Sequence, residues 1–284
     1  MENIRARRSA LYMPATNNRA IEKARELTCD VVIIDLEDAV APDMKHVARE
    51  NALAAVRAGG FGRRELVLRV NGLDGPWGEA DIAAARDAGF HAVLVPKVSC
   101  VEDLRRCREG LGGATPLWAM IETCTAFSRL SELAVASAAA ECHAWVIGTN
   151  DLAKEMRCRL DAARTTLVPA LSFAVIAARA HGIALLDGVF NDLEDGDGFE
   201  RQCRQGLALG FDGKTLIHPR QVATANRVFS PEPEEVTWSR QIVDAFALPE
   251  NANSGVLKID GHMVERLHLE EARRILALAH LAAE

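Results

Sequence analysis

The seven cysteines of this 284-residue chain include no C-x-x-C pair and are odd in number. That argues against a zinc site and against a disulfide frame, and it fits the reduced thiols of a cytoplasmic protein. No apolar run approaches the roughly 20 residues a membrane helix needs. The opening MENIRARRSALYMP has basic residues but no long apolar stretch behind them, unlike a secretory signal. The expectation is a cytoplasmic chain with no membrane partner. Neither G-x-G-x-x-G nor G-x-x-x-x-G-K-[ST] occurs, so a dinucleotide site or a P-loop has no support. Positive charge is also short. The 33 Lys and Arg against 40 Asp and Glu leave a net charge of −7, which argues against nucleic acid as a partner.

What is present is an ordinary globular balance, 49% hydrophobic and 26% charged, with ample material for a core. Eight short apolar runs read as strands: 10–13, 31–34, 66–70, 92–95, 117–121, 144–147, 183–186 and 214–217. Several are continuous rather than alternating, as expected of strands buried on both faces. Helical segments separate nearly all of them, including one expected over 126–140 and one opening near Thr16–Asn18. Repeated βα units imply parallel strands with right-handed crossovers. Eight such units predict an α/β fold, a TIM (β/α)8 barrel, whose usual length is about 250 residues. From Pro231 the character changes: a helix over 236–247, a hairpin around Asp260-Gly261, and a final helix over 270–283. The division expected is 1–230 for the barrel with the metal and substrate site, and 231–284 for a C-terminal helix–hairpin–helix extension acting as a lid, an oligomerisation arm or both.

The stretch Pro116–Asp151 holds two apolar runs, each followed closely by an acid, Glu122 after the first and Asp151 after the second. In a parallel sheet the ends of such strands lie side by side, so the two carboxylates should converge. Two acids at the mouth of a sheet suit a hard divalent cation, Mg2+ above all, with positions left open for substrate. The bland alternative is that each acid caps or solvates a loop. Other polar residues fall at the same strand ends: Glu37 and Asp38, Arg69, Lys97, Asp187 and His218. Lys97 and His218 read more readily as loop groups, and Asp187 as a helix cap. Arg69 is either a structural ion pair or a substrate clamp. Arg19 and Lys23 share a helix face that is either solvated or suited to phosphates.

Arg8–Pro14, the run Asp35-Leu36-Glu37-Asp38-Ala39-Val40 with Lys45 after it, Arg69-Val70-Asn71, Pro96-Lys97, Ile121-Glu122-Thr123, Gly148 with Asp151-Leu152, and Gly213-Lys214 with Ile217-His218-Pro219 occur in one order. Together they resemble the CitE-like branch of the HpcH/HpaI aldolase superfamily, which includes citrate lyase beta subunits, malyl-CoA lyases and citramalyl-CoA lyases. The resemblance implies a Mg2+-dependent carbon–carbon lyase acting on a carboxylated 3-hydroxyacyl-CoA thioester. Its partners would be that CoA thioester and a small keto acid: oxaloacetate, pyruvate or glyoxylate. Glu122 and Asp151 would hold the metal. Arg69 would contact the keto-acid end, Glu122 and Asn150 would also touch substrate, and Glu37 and Asp38 would lie near the metal's waters. Arg19 and Lys23 would meet the CoA phosphates. The tail would cross to a neighbouring subunit, in a homotrimer or a dimer of trimers.

One departure concerns the acid that protonates the enolate. Relatives of the malyl-CoA type place an Asp in the tail two residues after a Met, whereas this chain has Met263-Val264-Glu265. Glu265 keeps the carboxyl on a longer stem. It fits the same role in a reshaped pocket, a changed substrate, or a loss of lyase activity. Two other readings therefore stand beside the lead: a CoA-independent pyruvate-type aldolase of the same superfamily, and a non-catalytic subunit or ligand-binding homologue.

Overall fold

The computed structural model describes residues 5–113, 115–251 and 253–283. Eight parallel strands close into a barrel in the order of the chain. They are β1 (Ser9–Pro14), β2 (Val31–Asp35), β3 (Glu65–Arg69), β4 (Ala92–Val95), β5 (Leu117–Ile121), β6 (Cys142–Ile147), β7 (Ala184–Asp187) and β8 (Gly213–Leu216). The expected TIM barrel is thus observed, each strand within a few residues of its predicted span. β2, β3, β4, β5 and β8 are buried at every position. This is why they read as continuous apolar runs: one face meets the barrel interior and the other meets the helices.

Between the strands run α1 (Asn18–Ala24), α2 (Lys45–Ala58), α3 (Gly78–Ala85), α4 (Val101–Leu111), α5 (Cys124–Ser128), α6 (Leu130–Ala139), α7 (Thr149–Met156), α8 (Val168–Ala180) and α9 (Gly196–Leu209), followed by α10 (Val222–Val228). α1 opens where its side chains predict, with the Asn17 oxygen accepting the Ala20 N–H. The single helix expected over 126–140 is two. Thr123 caps the short α5 by accepting from the Ala126 N–H, and Arg129, at φ −129°, ψ 21°, breaks the backbone before α6. Composition alone did not reveal the break, because alanine favours helix on both sides of it.

The interior is filled by alternate residues of each strand. Ala10, Val31, Ile33, Val67, Ala92, Leu94, Trp118, Met120, Ala144, Val146 and Leu186 form one buried cluster, with Tyr12 packed against it. At the N-terminal end, Arg7 pairs with Glu65 at 2.7 Å and stacks on the Trp118 ring at 5.1 Å. Because side chains alternate across a strand, Leu186 inside places Asp187 outside. Asp187 therefore does not join the other strand-end residues at the mouth. It is fully buried between the sheet and the helices, 2.8 Å from Lys214 Nζ and 2.7 Å from Arg164 Nη1. Burial works to raise its pKa, but the two cations outweigh it and hold the carboxyl below its ordinary value. Lys214 Nζ also donates to Gln202 of α9 at 2.7 Å. The triad ties β7, β8 and the helical layer together.

The described residues fall into two compact units, Arg7–Asn226 and the stretch from Arg227 onward together with Arg5 and Ala6. The second contains α11 (Pro233–Ala247), the antiparallel pair β9 (Val256–Ile259) and β10 (His262–Glu265), and α12 (Arg266–Ala283). Ile242, Phe246, Val264, Leu269 and Ala272 form its own small core. Asp260 (φ 48°) and Gly261 (φ 85°) make the hairpin turn, both with the positive φ that an Asp-Gly type I′ turn requires. No helix among the described residues is long and apolar enough to cross a membrane.

Candidate active site

The C-terminal ends of β2, β3, β4 and β5, with the first turn of α7, bring a cluster of charges to one rim. At β2, Asp35 continues the inward parity of Val31 and Ile33 and is fully buried. One of its oxygens accepts the Glu37 N–H at 2.8 Å and the other the Ala39 N–H at 3.1 Å, which shapes the loop after the strand. The same carboxylate receives Arg69 Nε at 2.6 Å and Nη2 at 2.7 Å. The guanidinium lies over the Tyr12 ring, 4.6 Å from its centroid. Two of its three nitrogens are thus fixed. The third, Nη1, faces Glu37 Oε2 at 3.1 Å and Asp38 Oδ2 at 3.4 Å. Arg69 is thus an ion pair of Asp35 that turns its third nitrogen toward Glu37 and Asp38. Lys45 Nζ donates to the carbonyls of Leu36 (2.8 Å) and Glu37 (2.7 Å), locking the loop that carries Glu37 and Asp38.

Glu122 follows β5. The register pairs Ile121 with Ile147, so Glu122 stands beside Gly148. A Cβ at Gly148 would lie 2.1 Å from Glu122 Oε2, so only glycine leaves room for this carboxylate. Glu122 is buried, and burial is the main reason its pKa is raised to about 7. The Lys97 N–H opposes the rise, and the charges of Glu37 and Asp151 add to it. Glu37 is raised too, chiefly by burial, against the pull of Arg69. Asp151 lies in the first turn of α7 with its side chain 38% exposed.

Lys97 joins these acids. Its backbone N–H donates to Glu122 Oε1 at 2.8 Å, while its ammonium sits 2.7 Å from Glu37 Oε1 and 3.7 Å from Asp151 Oδ2. Burial works to lower its pKa, but the hydrogen bond and charge of Glu37 lead the acids in carrying it up to about 12. Glu122 and Asp151, 29 positions apart in the chain, thus meet at one rim through a shared lysine. A cleft of about 480 Å³ opens beside Glu37 and Lys97, lined also by Asp38, Lys45, Asn71 and Trp77.

The donor set suits a hard cation. Carboxylate oxygens are the ligands magnesium prefers, and an ammonium already occupies the acid cluster. Among the described residues no three His, Cys, Asp or Glu side chains group closely enough to ligate one ion. Two protein carboxylates with the remaining positions left to water and substrate is a common magnesium arrangement.

The remaining expected site residues are engaged differently. Asn150 is exposed, and its amide exchanges hydrogen bonds with that of Asn191, at 3.3 and 2.9 Å. Arg19 and Lys23 stand on the solvent face of α1, and no hydrogen bond or ion pair joins either to the acid cluster. Glu265 belongs to the second unit, where its side chain is exposed and its N–H donates to His268 Nδ1 at 2.9 Å. His218 closes a turn by accepting the Arg220 N–H at 3.1 Å, in keeping with a loop role. Sequence reasoning assigned no role to Asp35 or Tyr12, and it read Lys97 as a loop group, whereas Lys97 joins the cluster. Strand parity would have found the first two. Nothing local marks Lys97 beyond its position after β4.

A family model described as HpcH/HpaI aldolase/citrate lyase matches residues 8–219. The chain is 44% identical over 276 residues to a (3S)-malyl-CoA thioesterase of Cereibacter sphaeroides, an alignment that covers 97% of this chain and 95% of the relative. It is 32% identical to a citrate lyase subunit beta of Leuconostoc mesenteroides, over 99% of this chain and 95% of that protein. Among solved structures, CitE from Mycobacterium tuberculosis in complex with magnesium, acetoacetate and coenzyme A superposes with a TM-score of 0.76 at 26% identity, covering 96% of this chain and 97% of that one.

Proposed function

We propose, from the premise that this chain belongs to the HpcH/HpaI aldolase/citrate lyase family, that its barrel mouth cleaves a carboxylated 3-hydroxyacyl-CoA thioester of the malyl-, citramalyl- or citryl-CoA type into a keto acid and an acyl-CoA. The observation that carries the reading is the meeting of Glu122, Asp151 and Glu37 beside the guanidinium of Arg69, whose third nitrogen faces Glu37 and Asp38. Glu122 and Asp151 would hold Mg2+. When bound, the ion would supply Lewis acidity toward the oxygens of the substrate's reacting end.

The rest falls to the chain's own groups. Arg69 Nη1, held in place through Asp35, would bind the carboxylate that leaves with the keto acid. Glu37 Oε2 is buried with no hydrogen bond, only the charge of Arg69 Nη1 at 3.1 Å, and would accept the proton of the substrate hydroxyl. Burial holds its pKa above the ordinary carboxylate value against the pull of Arg69, which makes it a stronger base than a free carboxylate. As that proton leaves, the oxygen becomes the ketone, the carbon–carbon bond breaks, and its electron pair remains on the thioester as an enolate. Glu265 is the proposed donor of the proton that converts this enolate carbon to the acyl-CoA.

A second reading, hydrolysis of the same thioester, is favoured by the 44% identity to a malyl-CoA thioesterase. Incubating the protein with Mg2+ and each of the three thioesters separates them. Cleavage yields keto acid with no free thiol; hydrolysis yields free CoA thiol with no keto acid; turnover of none overturns both. Glu122→Ala and Asp151→Ala are each expected to abolish Mg2+ binding, followed by calorimetry, with the circular dichroism spectrum unchanged.

A further inference from the structure

Lys97 touches three carboxylates at once through two different groups. Its N–H meets Glu122, and its ammonium meets Glu37 and Asp151. The backbone that makes this possible is left-handed, φ 56°, a conformation an L residue adopts at a cost and one that recurs at functional sites. It turns the N–H toward one acid and folds the side chain back toward the other two. The neighbouring cations are held in place: Arg69 gives Nε and Nη2 to Asp35 and turns only Nη1 toward Glu37 and Asp38, and Lys45 is bonded to two carbonyls. The Lys97 side chain, 49% exposed, is the one near the cluster with room to swing on its stem.

From this geometry we infer that Lys97 is a tethered counter-cation of the acid cluster. Its ammonium neutralises Glu37 and Asp151 in the metal-free protein and gives up Asp151 when a divalent ion arrives, so that Lys97 sets how tightly the ion is held. An ammonium is a compact point charge on a flexible stem, well suited to this exchange. A monovalent ion would bring no more charge than the lysine already supplies, so the device also favours a divalent one. The inference rests on Glu122 and Asp151 being the ion's ligands.

The test is calorimetric titration of Mg2+ into the metal-free wild type and into Lys97→Met, Lys97→Gly and Lys97→Arg, with a thermal melt of each. Methionine keeps an apolar stem, glycine is at ease at this φ, and both keep the N–H that meets Glu122. The Met and Gly variants are expected to bind Mg2+ on the order of 10-fold more tightly than wild type, since a nearby like charge has been removed. Their metal-free melting temperatures fall and recover on adding Mg2+. Lys97→Arg stays close to wild type. Unchanged or weaker affinity in both Met and Gly variants, with wild type binding normally, overturns the inference alone. No Mg2+ binding by any of the four proteins overturns the metal assignment, and the inference with it.

Discussion

Glu122 shows how one buried carboxylate can couple stability, pH and metal. Its folded pKa of about 7 lies above the ordinary 4.5. A raised folded pKa means that the stabilising contribution is complete below pH 4.5 and is lost as pH rises through 7. The metal-free protein should therefore melt at a lower temperature at pH 8 than at pH 6, the stability lost between those two values being about 1.4 kcal/mol, with about 3 kcal/mol lost over the whole window from below pH 4.5 to above pH 7. Glu122→Gln should flatten that slope in a melting series, and Mg2+ affinity in wild type should weaken below pH 7 as protons compete. Arg69 makes a different point. Lysine at this position keeps the charge but cannot grip Asp35 with two parallel bonds while offering a third nitrogen. Arg69→Lys should lower kcat/KM by about 100-fold, on the scale of a misplaced group near 1 Å, in steady-state assays with the preferred thioester.

At the level of elements, the ends of β5 and β6 act as one part. Gly148 is there so that Glu122 can be. Gly148→Ala would drive a methyl into the carboxylate, and the strain of such overpacking is about 1–3 kcal/mol. Mg2+ affinity should fall by about 10- to 100-fold, as when a group supporting a ligand is lost, and calorimetry together with a thermal melt would record both effects. The strands themselves were legible in the sequence because β-branched and apolar runs punctuated by turns recur eight times. The break between α5 and α6 was not, since it is written in one residue's backbone angles rather than in composition. Asp187 was legible as the end of a strand but not as pointing outward. That depends on counting pleat parity from the interior, which needs a packed neighbour such as Leu186 to set the phase.

At the scale of the molecule, the second unit leaves Met263 75% and Leu267 61% exposed, apolar surface that the crossing to a neighbouring subunit proposed for the tail would cover. In sedimentation equilibrium the chain of 30.8 kDa is expected to run at three or six chain masses, and a monomer would remove the subunit-crossing role proposed for the tail. The sequence alone determined that eight βα units close a barrel and that Glu37, Arg69, Glu122 and Asp151 follow strands at one end. Chain order and parallel direction fix which ends line up, whatever the details of packing. The tertiary structure alone decided that Asp35 grips Arg69, that Asp187 braces the outer layer, and that Lys97 bends in a left-handed turn to reach three acids. Those outcomes depend on register, parity and dihedral angles set jointly by residues far apart in the chain, and no local stretch encodes them.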